Sequence, residues 1–373
     1  MPQPTRALST QERTDWLRLI RSENVGPVTF FRLIERYGSA AAALRALPEL
    51  AARGGRSKPL RICSRAEAER ETAAVERIGA RLLAACEPEF PPLLAHADDC
   101  PPVLCVLGHA HLLARPTVAI VGARNASLNG RKLAERIARD LGEAGYLVAS
   151  GMARGIDAAA HAGALAAGTV AVVAGGADVF YPEENRDLQL RVGAEGAVVA
   201  EMPVGMQPQA RHFPRRNRII AGLSLGVLVV EAALKSGSLI TARIAADLGR
   251  EVFAVPGSPL DPRCHGTNAL LREGAWLTEG AQDVLGVLAA RPGPRLAEPS
   301  RATPSAPPPA EPPEAELGPA RRRILECLSP TPVQVDELIR GCQLSPAVVQ
   351  TVILELELAG RVSRHPGNQV CLV

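Results

Sequence analysis

The chain has 373 residues, of which 47% are hydrophobic and 22% are charged, and its formal net charge is +3. This length exceeds what one hydrophobic core supports, so we expect about two to four domains. No run approaches the roughly 18 apolar residues of a membrane span, and the N-terminus lacks the apolar core of an export signal, so we expect a cytoplasmic protein without a membrane partner. The small net charge excludes a uniformly basic coat, and any nucleic-acid binding must come from local clusters of charge.

The first 86 residues are predicted to form a helical domain. Within it, the run 24–34 places a Gly-Pro turn between two helices with apolar periodicity. This pattern resembles a SAM or helix-hairpin-helix-like domain, in which backbone N–H groups at a helix start meet a phosphate. A small helical packing domain without a ligand fits the pattern equally well.

Residues 87–289 are predicted to form an extended Rossmann-like α/β domain with a doubly wound parallel sheet. Continuous apolar strands that alternate with amphipathic helices are typical of a sheet covered on both faces. The segment 87–113 is expected to add one more strand. The predicted strands of the alternating pattern are 117–121, 146–149, 169–174, 197–200, 226–230 and 251–255.

Small and basic turns follow several of these strands. In an open parallel sheet, ligands bind at the carboxyl ends of the strands, where Gly-rich turns let a ligand approach the backbone and free N–H groups meet an anion. Basic turns at several strand ends favour a row of phosphates, as in a nucleic-acid backbone. The residues of these turns are Gly122, Arg124, Ser150, Gly151, Arg154, Lys235, Ser236, Gly237 and Ser238.

A basic helix start lies between the fourth and fifth strands of that pattern, at residues 212–218, with the sequence HFPRRNR. Helical spacing places Arg215 and Arg218 on one side and Arg216 elsewhere, so these arginines cannot all face one ligand. A solvated face or salt-bridge donors are the alternative interpretation. Aromatic residues make up only 3% of the chain, and Phe213 is the best stacking candidate. We therefore predict single-stranded, sequence-tolerant and salt-dependent binding.

The sequence favours a binding protein over an enzyme. The turn after the first strand of the pattern lacks the second and third glycines of GxGxxG, and the GxxxxGK[ST], HExxH and GxSxG patterns are absent. His161, on an Ala-rich helix, is predicted to be a packed histidine. Glu201 and Glu231 end strands, where a carboxylate also commonly caps a neighbouring helix. We expect no catalytic residue, no cofactor and no metal.

A Pro-rich stretch at 290–319 is predicted to be an extended linker before a C-terminal domain at 320–373. Three helices and two short strands in that domain describe a winged helix. Its third helix begins at Ser345-Pro346, a standard start signal, and carries Glu355 and Glu357 but no Lys or Arg. Duplex-DNA reading and protein packing are both possible roles, and the missing cations favour packing.

Long motifs along the whole chain resemble those of the DNA-processing protein A family, also called DprA or Smf. They are VGARNAS, SGMARGIDAAAH, HFPRRNRIIAGLS, VVEAALKSGSLITARIAADLGREVFAVPG and GTNALLREGA. The resemblance implies a protein that binds single-stranded DNA, dimerises through the Rossmann domain, protects incoming DNA in natural transformation and loads the RecA recombinase. It also implies residues that line or support the DNA pocket, namely Arg124, Arg154, Arg215, Arg216, Asn217, Arg218, Lys235 and Asn268.

Two other classes remain open. A related fold serves phosphoribohydrolases, which cleave the base from a nucleoside monophosphate, but their PGGxGTxxE signature is missing, and Glu231 here precedes the turn. The second class is a duplex-binding regulator acting through the winged helix. Turnover of AMP analogues would favour the first, and duplex binding by residues 320–373 would favour the second.

Overall fold

The structure, a computed structural model, describes residues 6–290, 313–365 and 367–373. The chain divides into two compact units. One is built on residues 70–290, and the other combines residues 8–69 with residues 313–373. The sequence predicted separate N-terminal and C-terminal domains, whereas in the structure these two parts pack as a single unit.

The N-terminal helices begin and end at capping residues. Ser9 and Glu12 form a capping box at the first helix, and Gly38, with a φ of 74°, ends the second in the left-handed conformation. The Trp16 and Phe30 rings pack edge to face, with 4.9 Å between their centroids. The predicted hairpin therefore joins two packed helices. The four helices are α1 (Thr10–Arg21), α2 (Pro27–Tyr37), α3 (Ala40–Arg53) and α4 (Arg65–Arg77).

A nine-stranded sheet forms the centre of the other unit. Its strand order is β1-β2-β6-β5-β4-β3-β7-β8-β9, and all pairs from β6 to β9 in that order are parallel. All six strands predicted from the alternating pattern are present within one residue of their expected ends, which confirms the α/β prediction. The strands are β1 (Ala80–Ala84), β2 (Val103–Gly108), β3 (Thr117–Gly122), β4 (Leu147–Ser150), β5 (Thr169–Val173), β6 (Ala197–Ala200), β7 (Gly226–Val230), β8 (Glu251–Ala254) and β9 (Trp276–Leu277).

Strand β1 corrects the predicted boundary at residue 86. The strand belongs to the sheet, because Ala80 pairs with Leu107 and Ala84 with Val103 in antiparallel register. Strand β2, the additional strand expected within 87–113, is in turn antiparallel to β6. The five residues of β1 follow a helix directly and pair with a strand about 20 residues later, so local periodicity gave little sign of them.

Helices cover both faces of the sheet. On one face, Val118 and Ile120 of β3 join a buried cluster with α6, α7 and α12, defined below. The alternate residues Ala119 and Val121 are buried too, and α9 and α10 pack on the strands without joining that cluster. The helices of this unit after α4 are α5 (Pro92–Ala95), α6 (Leu128–Glu143), α7 (Ile156–Ala164), α8 (Arg186–Glu195), α9 (His212–Leu223), α10 (Gly237–Asp247), α11 (His265–Arg272) and α12 (Ala281–Ala290).

The C-terminal part is a winged helix, as predicted. Its three strands form a sheet in the order β10-β12-β11, and its helices share one apolar cluster. Ser345 caps the third helix by accepting from the backbone N–H of Val348 at 3.3 Å. The elements are α13 (Glu314–Cys327), β10 (Val333–Gln334), α14 (Val335–Cys342), α15 (Pro346–Leu358), β11 (Val362–His365) and β12 (Gln369–Leu372).

The predicted linker at 290–319 is too long at its C-terminal end. Its residues 291–312 lie outside the described residues, but α13 already begins at Glu314. The reason is Leu317, which is 2% exposed and joins the winged-helix cluster, so helix formation there buries apolar surface. None of the helices in the described ranges is long and apolar enough to cross a membrane.

Candidate functional site

The turns after β3 and β4 are held against each other by close backbone contact. The N–H of Ile156 donates to the carbonyl oxygen of Ala123 at 3.2 Å. Gly155 has a φ of 74°, and a Cβ there would lie 2.3 Å from that same oxygen. A glycine is therefore required at 155. Gly122 meets a similar limit, because a Cβ would lie 1.9 Å from the carbonyl oxygen of Val230.

These turns form one wall of a cleft at the carboxyl ends of β3, β4 and β5. The cleft has a volume of about 220 Å³, and the start of α9 closes another side. Of the predicted site residues, it brings together Arg124, Gly151, Arg154, Phe213 and Arg216. The remaining lining residues are Asn125, Ala153, Val173, Ala174, Gly175, Val179, Tyr181, Pro182 and Pro208.

An aromatic pair with a cation above it forms the open side of the cleft. The Arg124 guanidinium lies 5.3 Å from the centroid of the Phe213 ring, and the Phe213 and Tyr181 rings are 5.7 Å apart at an angle of 54°. Tyr181 is 49% exposed. This arrangement offers the face of an aromatic ring to a base and a charge to the phosphate beside it. The sequence reasoning found Phe213 but missed Tyr181, although an aromatic residue before a proline in the loop after β5 was a usable signal.

Arg216 lies at the floor of the cleft, beside a buried carboxylate. One of its terminal nitrogens is 3.9 Å from the Asp157 carboxylate, which also accepts from the N–H groups of Gly151 at 3.2 Å and Ala153 at 3.3 Å. Burial lowers the pKa of Arg216 and raises the pKa of Asp157. The Arg216 Nε is buried and has no hydrogen-bond partner among the residues that the structure describes. Arg216 therefore keeps a donor group that Asp157 does not use and that an anion in the cleft could accept from.

Arg218, unlike Arg216, does not line the cleft. Its guanidinium is 2.5 Å from the Glu201 carboxylate and also donates to the carbonyl oxygen of Asp99. Burial lowers its pKa, but the charges of Glu201 and Asp99 outweigh this effect, and the pKa is raised overall. Arg218 is thus an internal salt-bridge donor that ties α9 to the end of β6. Its prediction as a DNA contact is corrected, since the partners that hold it are distant in sequence.

The other predicted cations are exposed. Arg154 lines the cleft and pairs with Glu184 at 3.0 Å, with both side chains more than half exposed. Such a surface pair contributes at most about 1 kcal/mol, so a phosphate can replace the glutamate at small cost. Arg215 and Lys235 are exposed and lie outside the cleft lining.

The loop that follows β7 lies next to the start of α9. Asn217 donates from Nδ2 to the carbonyl oxygen of Gly237 at 3.3 Å, which joins the N-terminal ends of α9 and α10. Ser236 caps α10 by accepting from the N–H of Ser238, and the two hydroxyl groups are 2.7 Å apart. The predicted loop 235–238 therefore contacts Asn217 of α9 and is not part of the cleft lining.

Two predicted site residues hold the protein's own backbone. Ser150 is fully buried and donates to the carbonyl oxygen of Ile120 at 2.6 Å. Asn268 accepts from the N–H of Gly257 at 3.2 Å and donates to its carbonyl oxygen at 2.9 Å. Asn268 thus holds the turn after β8, and the buried Ser150 side chain holds the end of β3.

The groups considered for catalysis have structural contacts. Glu231 accepts from the backbone N–H of Ser127 at 2.8 Å and from its hydroxyl at 2.5 Å, at the start of α6. His161 is fully buried, and its Nδ1 lies 2.8 Å from the Thr169 hydroxyl. Burial, together with the charge of Arg216, lowers the pKa of His161 to about 3, as fits a packed histidine.

Family models match three parts of the chain. The model described as DNA recombination-mediator protein A matches residues 81–289. A DprA-like N-terminal HHH domain matches residues 10–74, and a DprA winged helix domain matches residues 308–368. The matches follow the three structured parts in chain order.

Individual proteins agree with these matches. The chain is 33% identical to Protein Smf of Synechocystis over 96% of this chain and 98% of the relative. It is 47% identical to DNA processing protein DprA of Streptococcus pneumoniae over 52% of this chain and 70% of that protein. The crystal structure of the pneumococcal protein aligns with a TM-score of 0.64 over 74% of this chain and 98% of that one. A Helicobacter pylori structure, described as showing a single-stranded DNA binding mode of DNA processing protein A, aligns with a TM-score of 0.52 and 29% identity over 56% of this chain and 95% of that one.

Proposed function

Because this chain belongs to the DNA recombination-mediator protein A family, as its motifs predicted, we propose that it binds single-stranded DNA at the cleft and acts in DNA recombination. The observation that carries the proposal is one cleft that holds the Arg124 guanidinium over the Phe213 ring, with the Tyr181 ring and the buried Arg216 in the same lining. A single strand exposes the faces of its bases, which a duplex keeps stacked. The aromatic pair therefore distinguishes the two forms.

Phosphates supply most of the affinity in this proposal. Arg124 and Arg154 meet the backbone at the rim, Arg216 meets it at the floor, and Arg215 and Lys235 extend the positive surface beyond the cleft. Stacking on the aromatic pair adds about 1–3 kcal/mol for a base. Binding is then tolerant of sequence and falls steeply with salt.

A matched pair of arginines tests the site. Arg154 and Arg139 each pair with one glutamate, at 3.0 and 3.1 Å, and their side chains are 58% and 54% exposed. Arg154→Ala should weaken single-strand binding and reduce the salt slope by roughly 0.7, whereas Arg139→Ala, on α6, should change neither. Salt-titrated fluorescence anisotropy with single-stranded and duplex DNA measures both. Equal losses in the two variants, or a preference for duplex DNA, would contradict the proposal.

The cellular role follows from the family resemblance. We propose that the protein protects incoming DNA during natural transformation and loads RecA onto it. A RecA strand-exchange reaction with DNA already coated by single-strand-binding protein tests this role. The wild-type chain should shorten the lag before exchange, and Arg154→Ala should shorten it less. An unchanged lag with the wild-type chain would leave DNA binding intact but exclude loading.

We propose further that no reaction accompanies binding. The carboxylate that a phosphoribohydrolase would need at the end of β7, Glu231, is occupied by Ser127. Incubation with AMP should release no adenine. Adenine release by the wild-type chain that disappears in Glu231→Gln would instead identify a hydrolase.

A homodimer through the sheet domain is the last part of the proposal. The C-terminal part of the sheet domain, from residue 234 onward, carries exposed apolar side chains. Among them are Leu234, Ile240 and Leu260, of which Leu260 is 90% exposed. Trp276 and Leu277 are also half exposed on β9, which is the last strand in the sheet order. Sedimentation at micromolar concentration should show a dimer, and Leu260→Glu should shift it toward monomer. A monomeric wild-type chain would exclude this part alone.

A further inference from the structure

The third helix of the winged helix, α15, is buried on more than its core-facing side. Val352, Ile353 and Leu356 belong to the apolar cluster of the winged helix. Leu354 and Leu358, four residues apart, are at most 3% exposed but lie outside that cluster. Residues four apart share a helix face, so α15 has a second covered face. In a winged helix that reads DNA, such a face of the third helix enters the major groove.

Helix α3 of the N-terminal part packs against α15. Gly54 follows α3 directly, and a Cβ there would lie 2.1 Å from the carbonyl oxygen of Glu355 and 2.8 Å from the Ala359 Cβ. The φ of Gly54 is −68°, which any residue adopts. The need for glycine therefore comes from the approach of α15 and not from the backbone conformation.

The hairpin between α1 and α2 (residues 22–26) contacts the C-terminal end of α15. Asn24 donates from Nδ2 to the carbonyl oxygen of Leu358 at 3.1 Å. The Thr29 hydroxyl, in the first turn of α2, donates to the Glu357 carboxylate at 3.4 Å. Carbonyl groups at a helix end lack partners within the helix, and the hairpin supplies one. Side-chain donors of the hairpin and of the first turn of α2 thus bind oxygen atoms of α15.

The two glutamates of α15 lie out of water and are paired with arginines of the winged helix itself. Glu355 is fully buried 2.7 Å from Arg321, and Glu357 pairs with Arg364 at 3.1 Å. Burial, and next the charge of Arg364, lowers the pKa of the half-buried Arg32 to about 10. Residues 8–69 contain eleven Lys and Arg against seven Asp and Glu, while α15 contains two glutamates and no cation. A helix whose two glutamates are already paired is therefore covered by a domain of net positive charge.

We propose that α15 is a protein-docking helix whose partner is the helix-hairpin-helix of the same chain, and that it occupies the hairpin in place of a DNA phosphate. Neither motif contacts DNA while they are docked. The proposal is independent of the single-strand cleft, since every residue that carries it lies in the other unit.

Hydrogen exchange of the full chain, followed by mass spectrometry, tests the docking. Gly54→Ala should raise exchange in peptides covering the hairpin and α15 by at least about ten-fold, because the added methyl group separates the two surfaces. Gly341→Ala is the matched control, since a Cβ there meets nothing within 4 Å. Peptides of α14 should stay protected in both variants, which shows that the winged helix remains folded. Unchanged exchange at α15 in Gly54→Ala would overturn the proposal.

DNA binding by Asn24→Gly decides which group occupies the hairpin. This substitution removes the amide donor and retains the φ of 59°, which glycine adopts freely. It should raise exchange at α15 and change the affinity of the full chain for single-stranded and duplex DNA by less than about two-fold. A loss of about ten-fold for either DNA would assign the hairpin to a phosphate and overturn the proposal.

Discussion

The cleft of the sheet domain and the third helix of the winged helix both belong to motifs that bind DNA in other proteins, yet they present opposite charges in opposite settings. In the cleft, Arg124 and Arg154 are exposed and Arg216 keeps an unused donor. In α15, the charged groups are Glu355 and Glu357, both buried and both paired with arginines. The sign and accessibility of charge, more than the outline of a motif, decide which surface can meet a polyanion.

The largest expected effect concerns α9, in which Arg216 lines the cleft and Arg218 forms an internal salt bridge. Arg218→Ala removes the buried guanidinium that pairs with the Glu201 carboxylate and should lower the free energy of unfolding by about 3–5 kcal/mol. Urea unfolding followed by Trp276 fluorescence in a Trp16→Phe background reports on the sheet domain. Arg139→Ala, from an exposed pair, should stay within about 0.5 kcal/mol of the parent. A similar small change in both would mean that Arg218 is not an internal salt-bridge donor.

The next effect separates stacking from charge inside the cleft. Phe213→Ala removes the ring beneath Arg124 and should weaken single-strand binding by about 1–3 kcal/mol without changing the salt slope. Arg124→Ala should instead reduce the slope by roughly 0.7. Anisotropy titrations at several salt concentrations distinguish the two. A reduced slope in Phe213→Ala would show that the ring acts only by positioning a cation.

Acid should destabilise the sheet domain through a buried histidine. The pKa of His161 is about 3 in the folded protein and near its ordinary value when unfolded, so the unfolded state binds the additional proton as the pH falls. Stability is therefore full above about pH 6.5 and falls by up to about 1.4 kcal/mol per pH unit below it, down to about pH 3. Urea unfolding at pH 7, 6 and 5 measures this loss, which should be absent in His161→Gln. His111→Gln, at an exposed position, should keep the wild-type dependence.

The smallest expected effect tests the hydrogen bond between the N-terminal helices and the winged helix. Thr29→Val retains the shape of the side chain and removes its hydrogen bond to Glu357. The free energy of unfolding should fall by about 0.5–1.5 kcal/mol, seen through the fluorescence of Trp16, while single-strand affinity stays unchanged. Weaker single-strand binding would mean that the two regions act on DNA together.

Local pattern predicted most of the fold, and the reasons for its failures are physical. The six buried strands were predicted correctly because a continuous apolar run between Gly-rich turns can be recognised from the local sequence alone. Strand β1 was missed because its pairing depends on residues 103–107. The docking of the N-terminal helices on α15 joins segments that are far apart in the chain, so local sequence patterns could not predict it.

The same distinction holds for the candidate site. The glycines and cations of the strand ends were predicted from spacing, and Arg124, Gly151, Arg154, Phe213 and Arg216 do line one cleft. Helical spacing alone could not say which arginine of α9 would face it. That choice depends on carboxylates elsewhere in the chain: Asp157 lies beside the cleft arginine, and Asp99 and Glu201 hold Arg218 away from it.

The union of residues 8–69 and 313–373 in one compact unit has a consequence for synthesis. About 290 residues separate Gly54 from Pro346. At ribosomal rates of about 5–20 residues per second, the N-terminal helices wait roughly 15–60 s before α15 is made. During that interval their hairpin lies open, and only a nascent chain that reaches its last helix can close it. Truncated translation products would therefore retain an uncovered N-terminal domain, a difference that proteases and chaperones can detect.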